Sequence, residues 1–291
     1  MKRSDFQRSD FQFADRQRVR WAEIDAQQIV FNGHYLTYFD TAVGAWWRAL
    51  ALPYHETMKS LDGDLFVRKA TLEYVGSARY DEQLEVGVRC QRIGSSSMTI
   101  VCAVFRGEDL LVHGELVYVF ADPVAQVSKP IPSALRAAIE AFEAGEPVVE
   151  VRVGSWAELG EQASAIRQAV FVDEQKIPAE MEWDVADAGC IHAVAFNRFG
   201  MPLATGRLLE HVPGVAKIGR MAVVRSMRGG RVGRAVLEAL MREGRARGYA
   251  EAVLHAQLSA RGFYLRAGFV QRGEVFEEAG IGHVEMVRAL A

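Results

Sequence analysis

The rhythm of apolar and polar positions changes several times along the chain. Residues 17–24 alternate and predict a strand. Between positions 33 and 52, Tyr35, Leu36, Phe39, Val43, Trp46, Trp47 and Leu50 recur at helical spacing and form one broad apolar face. The alternation returns in LFVRKATLEYV, QLEVGVRCQRI, SMTIVCAVFRG and LLVHGELVYVFA. Short polar or glycine-containing breaks (GSARYDE, GSSS, GED) separate these segments, as an antiparallel meander requires. One long helix ahead of four or five long strands predicts an α+β layout in which the sheet curls around the helix.

A closing helix is predicted over 131–147, with Ser133 as N-cap and Gly145 as stop. The pattern then restarts. Strands are predicted at 148–153, 191–197, 202–210, 216–224 and 251–257, with a strand pair at the end. Helices are predicted at 157–175 and 231–247, and a short one at 260–268. This second half alternates α and β around a mixed sheet. The expected division is an N-terminal extension (1–14), a first domain (15–147) and a second domain (148–291).

Composition narrows the classes. The 291 residues suffice for two ordinary domains, and 50% hydrophobic with 24% charged residues fits a soluble globular protein. A net charge of −3 gives no support for a nucleic-acid coat or a polybasic membrane anchor. No apolar run approaches the roughly 18 residues of a spanning helix, so no membrane partner is expected. The start, MKRSDFQRSDFQ, lacks the apolar centre of a signal peptide, and its tandem RSDFQ reads as a duplicated extension. Cys90, Cys102 and Cys190 lack metal-type spacing. They read as reduced thiols of a cytoplasmic protein without a metal.

The first chemical question lies in RVRWAEIDAQQIVFNGHYLTYFD. Asp25 closes the predicted strand, and the helix starts near Gly33 or His34. A helix N-terminus offers unpaired N–H groups and partial positive charge. A carboxylate beside it can hydrolyse a thioester, as nucleophile or as base for water, while amides polarise the carbonyl. Asn32 could orient the water or the thioester. His34 is open between an anion contact and a capping or exposed role. The plainer alternative for Asp25 is a turn former or cap. Trp46 and Trp47 read as core and interface packing, and Asp40 as a solvated or paired charge.

This stretch resembles the hotdog-fold acyl-CoA thioesterases of the 4-hydroxybenzoyl-CoA thioesterase type, through D-A-Q-Q-I-V-F-N-G-H-Y and LEYVGSARYDEQLEV. The likeness covers roughly residues 15–145. It implies a catalytic Asp25, a second polar active-site residue at Asn32, and substrate contacts at Gly33 and His34. It also implies an active site between two protomers, hence a homodimer or a dimer of dimers. One position departs: Gln28 stands where glycine is common, and a turn needing φ > 0 strains glutamine.

In the second half, KIGRMAVVRSMRGGRVGRAVLEALMREGRARGY runs from a strand through a glycine turn into a helix. Amides of Gly229, Gly230, Arg231, Val232, Gly233 and Arg234 would point out of the helix start and could hold a pyrophosphate. Arg228, Arg231 and Arg234 add positive charge. A tight strand–helix turn without a ligand remains the alternative. No GK[ST] follows, and the G-x-G-x-x-G fingerprint is absent.

The segment resembles the coenzyme A loop of GNAT-type N-acetyltransferases, [QR]-x-x-G-x-[GA], with Arg228 first, Gly233 last and Arg231 where glycine is usual. ARGFYLRAGF matches that superfamily's A-x-x-F-Y-x-x-x-G-F signature. The likeness implies that Tyr264 protonates the leaving thiolate. It also implies that the Met221, Ala222 and Val223 backbone pairs with the pantetheine arm. IRQAVFVDEQKIPAEMEWD and EEAGIGHVEM resemble a bacterial subgroup in which R-x-x-V-F-V-x-E-Q helps form the acceptor side of the cleft. That makes Glu174, Gln175, Glu180, Glu182 and Asp184 candidate amine contacts, with His283 and Glu285 open. Solvated acids near a proline turn are the alternative.

Together the resemblances imply an N-terminal hotdog fold followed by a C-terminal GNAT mixed α/β fold. The function implied is a fused acyl-CoA thioesterase and N-acyltransferase, using acyl-CoA as substrate and an amine as acceptor. Two other readings stand beside it. One domain could be catalytic while the other only binds acyl-CoA or dimerises, or the whole could be a non-catalytic acyl-CoA sensor or scaffold.

Overall fold

The computed structural model describes residues 6–278 and 280–290. The chain divides into two compact units, Met1–Val148 and Val149–Ala291.

In unit 1, β1 (Phe13–Arg18) precedes α1 (His34–Ala49), α2 (Tyr54–Ser60), β2 (Asp64–Tyr74), β3 (Gln83–Ile93), β4 (Ser97–Arg106), β5 (Asp109–Ala121) and α3 (Ser133–Glu143). The strands form one antiparallel sheet, ordered β1-β3-β4-β5-β2. The long helix α1 lies against β1 and β3. Its buried residues, Tyr35, Tyr38, Phe39, Ala42, Val43, Trp46 and Trp47, keep the i, i+3, i+4, i+7 rhythm that forms one face. Trp46 meets Phe142 of α3 edge to face, so both tryptophans are core. This is the hotdog arrangement of a helix held by a curved sheet.

Two expectations need correction. The predicted strand at 17–24 ends at Arg18, and a 3₁₀ turn occupies Trp21–Glu23. The alternation misleads because Val19 is buried, Trp21 is 77% exposed and Glu23 is 2% exposed. Ser133 is the first residue of α3 and not its cap, a place taken by Pro132. Within the N-terminal stretch, Phe6 and Phe11 join Val101, Ala103 and Phe105 in a buried cluster. Of the tandem RSDFQ, the beginning of the first copy lies outside the described residues.

Unit 2 runs β6 (Val149–Gly154), α4 (Trp156–Arg167), a π-helical segment (Gln168–Glu174), α5 (Ala179–Glu182), β7 (Ile191–Asn197), β8 (Pro202–Val212) and β9 (Val215–Val223). Then come α6 (Val232–Ala246), β10 (Glu251–Gln257), α7 (Arg261–Arg266), β11 (Val270–Glu278) and β12 (Ile281–Ala289). Its sheet has the order β11-β12-β10-β9-β8-β7-β6. Only β9 and β10 are parallel, and α6 bridges them as a crossover helix. The helix expected at 157–175 is therefore two pieces, α-helical to Arg167 and π-helical beyond.

The parallel pair is short. β9 and β10 are in register only at Val215–Glu251, Ala216–Ala252 and Lys217–Val253. Beyond that point the strands part. A bulge in β9 against β8 accompanies the parting, between the Thr205–Ala222 and Arg207–Gly219 pairs, with Arg220 at φ 51. Gly206 lies opposite the bulge, where a Cβ would collide with the Met221 sulfur.

Candidate functional sites

In unit 1 the backbone between β1 and α1 folds into a tight loop. A single bridge joins Ile24 to Val30, and Asp25 lies just inside it. Asp25 N–H donates to the Ile29 carbonyl at 2.9 Å. Its own Oδ1 accepts from Gln27 N–H at 2.8 Å and Ile29 N–H at 3.4 Å. Asp25 is thus a loop former as well as the half-buried carboxylate of the candidate site. Gln28 stands at φ 61. The turn keeps the left-handed geometry for which glycine is suited, and glutamine carries the strain.

Past the loop, the turn into α1 uses some amides and leaves others. His34 N–H donates to the Phe31 carbonyl at 2.9 Å, and Tyr35 N–H to the Asn32 carbonyl at 3.4 Å. The N–H groups of Asn32 and Gly33 have no acceptor among the described residues. Asn32 and Gly33 are exposed, and His34 is half-buried, its ring edge-on to Phe31. Sequence reasoning passed over Glu23, two residues before Asp25. It is buried and receives hydrogen bonds from the Tyr38 hydroxyl at 2.6 Å and from Arg20. Burial alone would raise this carboxyl, but the hydrogen bonds outweigh it and hold it below the usual range.

In unit 2, Arg231 is the N-cap of α6 at φ 64, two residues after Gly229 at φ 82. The basin expected of glycine at this position is therefore kept by an arginine. The first-turn amides of Val232, Gly233 and Arg234 have no intrahelical acceptor and face away from the helix. The Arg231 side chain is exposed and makes no hydrogen bond or ion pair among the described residues. Arg234 pairs with Glu238 along α6 at 2.7 Å.

Arg228 is held differently. It grips Glu174 with two parallel hydrogen bonds of 2.7 Å, and its Nε donates to the Val223 carbonyl at 3.1 Å. The Arg228 guanidinium holds the Glu174 carboxyl below its ordinary range. Glu174 was expected at the acceptor side. Instead, the π-helical segment delivers it to the glycine loop, where it fixes Arg228.

A cavity of about 430 Å³ opens where β9 and β10 part. Met221 and Gly219 of β9, His255 and Gln257 of β10, Tyr264 of α7, and Gln175 are among its walls. Gln257 donates to Gln175 at 3.0 Å. The Tyr264 ring is buried against Phe263 and Phe269, and burial raises its hydroxyl well above the ordinary value. Ala222 is buried and Val223 half-buried on the same strand.

The acidic wall expected from Glu182 and Asp184 is already neutralised. Arg167 is 1% exposed and contacts Glu182 at 2.5 Å and Asp187 at 2.9 Å. Arg207 contacts Asp184 at 2.8 Å and Asp187 at 2.7 Å, and Arg220 reaches Asp184 at 3.2 Å. The hydrogen bonds from Arg207 pull Asp184 down to about 2. Burial pushes the Glu182 carboxyl up, against the pull of Arg220 and Arg167. Three arginines match three acids, and Glu180 is exposed away from the cavity walls. Two further residues escaped sequence reasoning. Lys217 lines the cavity, and His255 donates towards Glu278 at 3.2 Å.

All three cysteines are free thiols, and no helix among the described residues is long and apolar enough to cross a membrane.

Comparison with known proteins finds a separate relationship for each unit. The family model of the thioesterase superfamily matches residues 27–113, and that of the acetyltransferase (GNAT) domain matches residues 162–290. The Bacillus subtilis uncharacterized N-acetyltransferase YjcF is 33% identical over 124 residues, covering 42% of this chain and 87% of that protein. An Aquifex aeolicus protein provisionally described as an esterase is 32% identical over 100 residues, covering 34% of this chain and 77% of that protein. The Escherichia coli acyl-CoA thioester hydrolase YbgC is 24% identical over 123 residues, covering 40% of this chain and 88% of that protein.

Proposed function

Because this chain belongs to the thioesterase superfamily through its first half and to the GNAT acetyltransferases through its second, we propose that it is a bifunctional user of acyl-CoA. A domain of residues 15–147 hydrolyses acyl-CoA thioesters, and a domain of residues 148–291 transfers an acyl group from CoA to an amine. The observation that carries the transfer half is the parting of β9 and β10 beside the α6 N-terminus, with Tyr264 on the wall of the resulting cavity.

In the transfer reaction the pyrophosphate lies on the amides of Gly229 to Arg234, with Arg231 free to meet a phosphate. The unpaired β9 edge at Met221, Ala222 and Val223 hydrogen-bonds the pantetheine arm as a neighbouring strand does. The thioester then reaches the cavity. The amine nitrogen attacks the carbonyl carbon, the C–S bond breaks, and Tyr264 gives its proton to the departing sulfur. Gln175 serves the acceptor side. Burial keeps Tyr264 protonated until that moment.

In the hydrolytic reaction the Asn32 and Gly33 amides point at the developing oxyanion. Asp25 attacks, or activates the attacking water, through the carboxylate oxygen not engaged by the loop. Asn32 and His34 orient the substrate. The E. coli relative named as an acyl-CoA thioester hydrolase supports this half. A homodimer completes this site. Its support is the exposure of the apolar residues Phe31, Leu36, Phe66, Val67 and Tyr74, the last three on the edge strand β2.

The test follows thiol release from acetyl-CoA by the full chain, with and without a primary amine. Asp25→Asn removes the amine-independent release alone, and Tyr264→Phe removes the amine-dependent release alone. Hydrolysis that survives in Asp25→Asn overturns the first assignment. Transfer that survives undiminished in Tyr264→Phe overturns the second.

A further inference from the structure

The cavity at the β9–β10 opening contains more charge than it can use. Glu182 and Asp184 are tied to Arg167, Arg207 and Arg220. Lys217 is a cation and takes no proton from an ammonium. The titratable lining groups left to receive a proton are His255, Glu278 and His283.

His255 and His283 are held in different ways. Nδ1 of His283 lies 2.8 Å from the Ile281 carbonyl oxygen. A carbonyl only accepts, so that nitrogen carries the hydrogen, but its partner is neutral. Nδ1 of His255 lies 3.2 Å from Oε2 of Glu278. A carboxylate also only accepts, so Nδ1 carries the hydrogen and Nε2 keeps its lone pair. Here the partner is a side-chain carboxylate, which orients the ring through Nδ1 and leaves Nε2 as the acceptor. Phe276 fixes both rings, edge-on to His255 at 4.9 Å and stacked on His283 at 6.0 Å.

Resting on the acyl-transfer reading, we infer that His255 is the general base of unit 2 and that Glu278 is its positioning residue. The other charges around His255 do not displace this assignment. Glu285 of β12 lies 4.0 Å from Nε2, but its carboxylate is engaged by Arg272 at 2.5 Å. His211 also lies on the Glu285 side. Lys217 on β9, His283 on β12 and the neutralised Glu182 and Asp184 line the same cavity.

The step balances as follows. The acceptor arrives as an ammonium, and Nε2 of His255 takes one proton, later released to solvent. The freed nitrogen lone pair forms the C–N bond with the thioester carbonyl carbon. The tetrahedral adduct collapses, and the C–S bond breaks with its electron pair on sulfur. Sulfur takes the proton of the Tyr264 hydroxyl, and the second proton lost by nitrogen restores the tyrosine. His255 and Tyr264 line the same cavity, so acid and base act on one bound pair of substrates.

The experiment measures acetyl transfer by the full chain from acetyl-CoA to tyramine, ethanolamine, lysine and spermidine as probe amines, across pH 6 to 9. CoA affinity, measured by calorimetry, monitors the fold. His255→Gln is expected to lower kcat/KM for the amine about a hundredfold near neutral pH and to abolish the limb of the pH profile on which a base is deprotonated. CoA affinity stays within about twofold of wild type. Glu278→Gln is expected to lower the rate about tenfold and move that limb, with Glu278→Asp restoring part of both.

If His255→Gln keeps the rate and the limb, the proposal is overturned. If His283→Gln removes the limb and His255→Gln does not, it is equally overturned. A wild-type chain that binds CoA but acetylates none of the four amines overturns the transfer reading itself, and the proposal falls with it.

Discussion

Gln28 and Arg231 occupy the same backbone basin at two unrelated sites, with φ of 61 and 64. Each stands in a conformation that suits glycine, and neither has changed the backbone to suit its side chain. The clamps around them differ. The Gln28 loop is held by Asp25, whose Oδ1 accepts from the amides on both sides of Gln28. The Arg231 loop is held by the Arg228–Glu174 pair, with Tyr264 on a different element. In unit 1 the clamp and the proposed chemistry share one carboxylate; in unit 2 they are separate. Substitutions should therefore mix stability with activity in unit 1 and separate them in unit 2.

The largest effect belongs to Asp25. Asparagine keeps an oxygen in the position of Oδ1, so the loop amides stay satisfied, while the charge is lost. Asp25→Asn is expected to reduce acyl-CoA hydrolysis about a thousandfold while leaving the thermal midpoint close to wild type. Asp25→Ala loses hydrolysis equally and, having stripped the loop of its acceptor, also about 1–2 kcal/mol of stability. Equal stability of the two variants would mean that the loop needs no clamp. Hydrolysis surviving in both would remove Asp25 from the chemistry.

Tyr264 is the counterpart without a clamp. Tyr264→Phe keeps the ring packed against Phe263 and Phe269. It is expected to slow acyl transfer about a hundredfold with CoA affinity unchanged. A parallel loss of affinity would show that the hydroxyl holds the substrate and does not serve as acid.

What could be read from the chain follows the same division. Local features were legible. The α1 face depends only on helical spacing, and the Tyr264 segment and glycine loop are short contiguous motifs. Features made by distant partners were not. Nothing in the sequence near Glu182 or Asp184 announces Arg167, Arg207 and Arg220, which α4, β8 and β9 bring from 15 to 38 positions away. The acids therefore read as a free wall. His255 and Glu278 lie 23 positions apart, on β10 and β11, and meet only through the sheet. The strand predicted at 17–24 failed for another reason. Its polarity is inverted, with tryptophan outside and glutamate inside, where Tyr38 and Arg20 supply the hydrogen bonds that burial demands.

Loosening the second clamp tests the separation directly. Glu174→Gln keeps one hydrogen bond to Arg228 and loses the charge pairing. The KM for acetyl-CoA is expected to rise about fivefold, equivalent to about 1 kcal/mol, with kcat little changed because Tyr264 is untouched. A KM that falls would mean that Glu174 competes with the phosphate for Arg228. A kcat that falls with an unchanged KM would place Glu174 in the chemistry.

An effect of similar size is expected from Asp184, and it depends on pH. Arg207 holds this carboxyl at about 2, below the ordinary value in the unfolded chain. A carboxyl lowered on folding stabilises the native state above its unfolded pKa, and this contribution disappears as pH falls through the folded one. With a third of the side chain exposed, solvent screening leaves about 1 kcal/mol. Urea unfolding of Asp184→Asn should show that deficit at pH 7. The gap to wild type should narrow between about pH 4 and pH 2. A constant gap across that range would mean that packing, and not charge, is what Asp184 contributes.

The smallest effect is expected at Arg231. A non-glycine residue at φ > 0 carries on the order of 1 kcal/mol of strain. The Arg231 side chain is exposed and has no partner among the described residues. Arg231→Gly should therefore relieve the strain without losing a contact in the free protein. Stability is expected to rise by a few tenths of a kcal/mol, since the entropy of glycine in the unfolded chain offsets most of the gain. If the backbone amides alone hold the pyrophosphate, CoA affinity stays within about twofold of wild type. Arg231→Val controls for the backbone, because a β-branched residue in this basin is strongly disfavoured and should weaken both stability and CoA binding. A drop in affinity of the glycine variant at low salt, erased at high salt, would show that the guanidinium reaches the phosphate once CoA is bound. The arginine would then be a ligand added to the loop, and the strain it carries would have a functional return that the strain at Gln28 lacks.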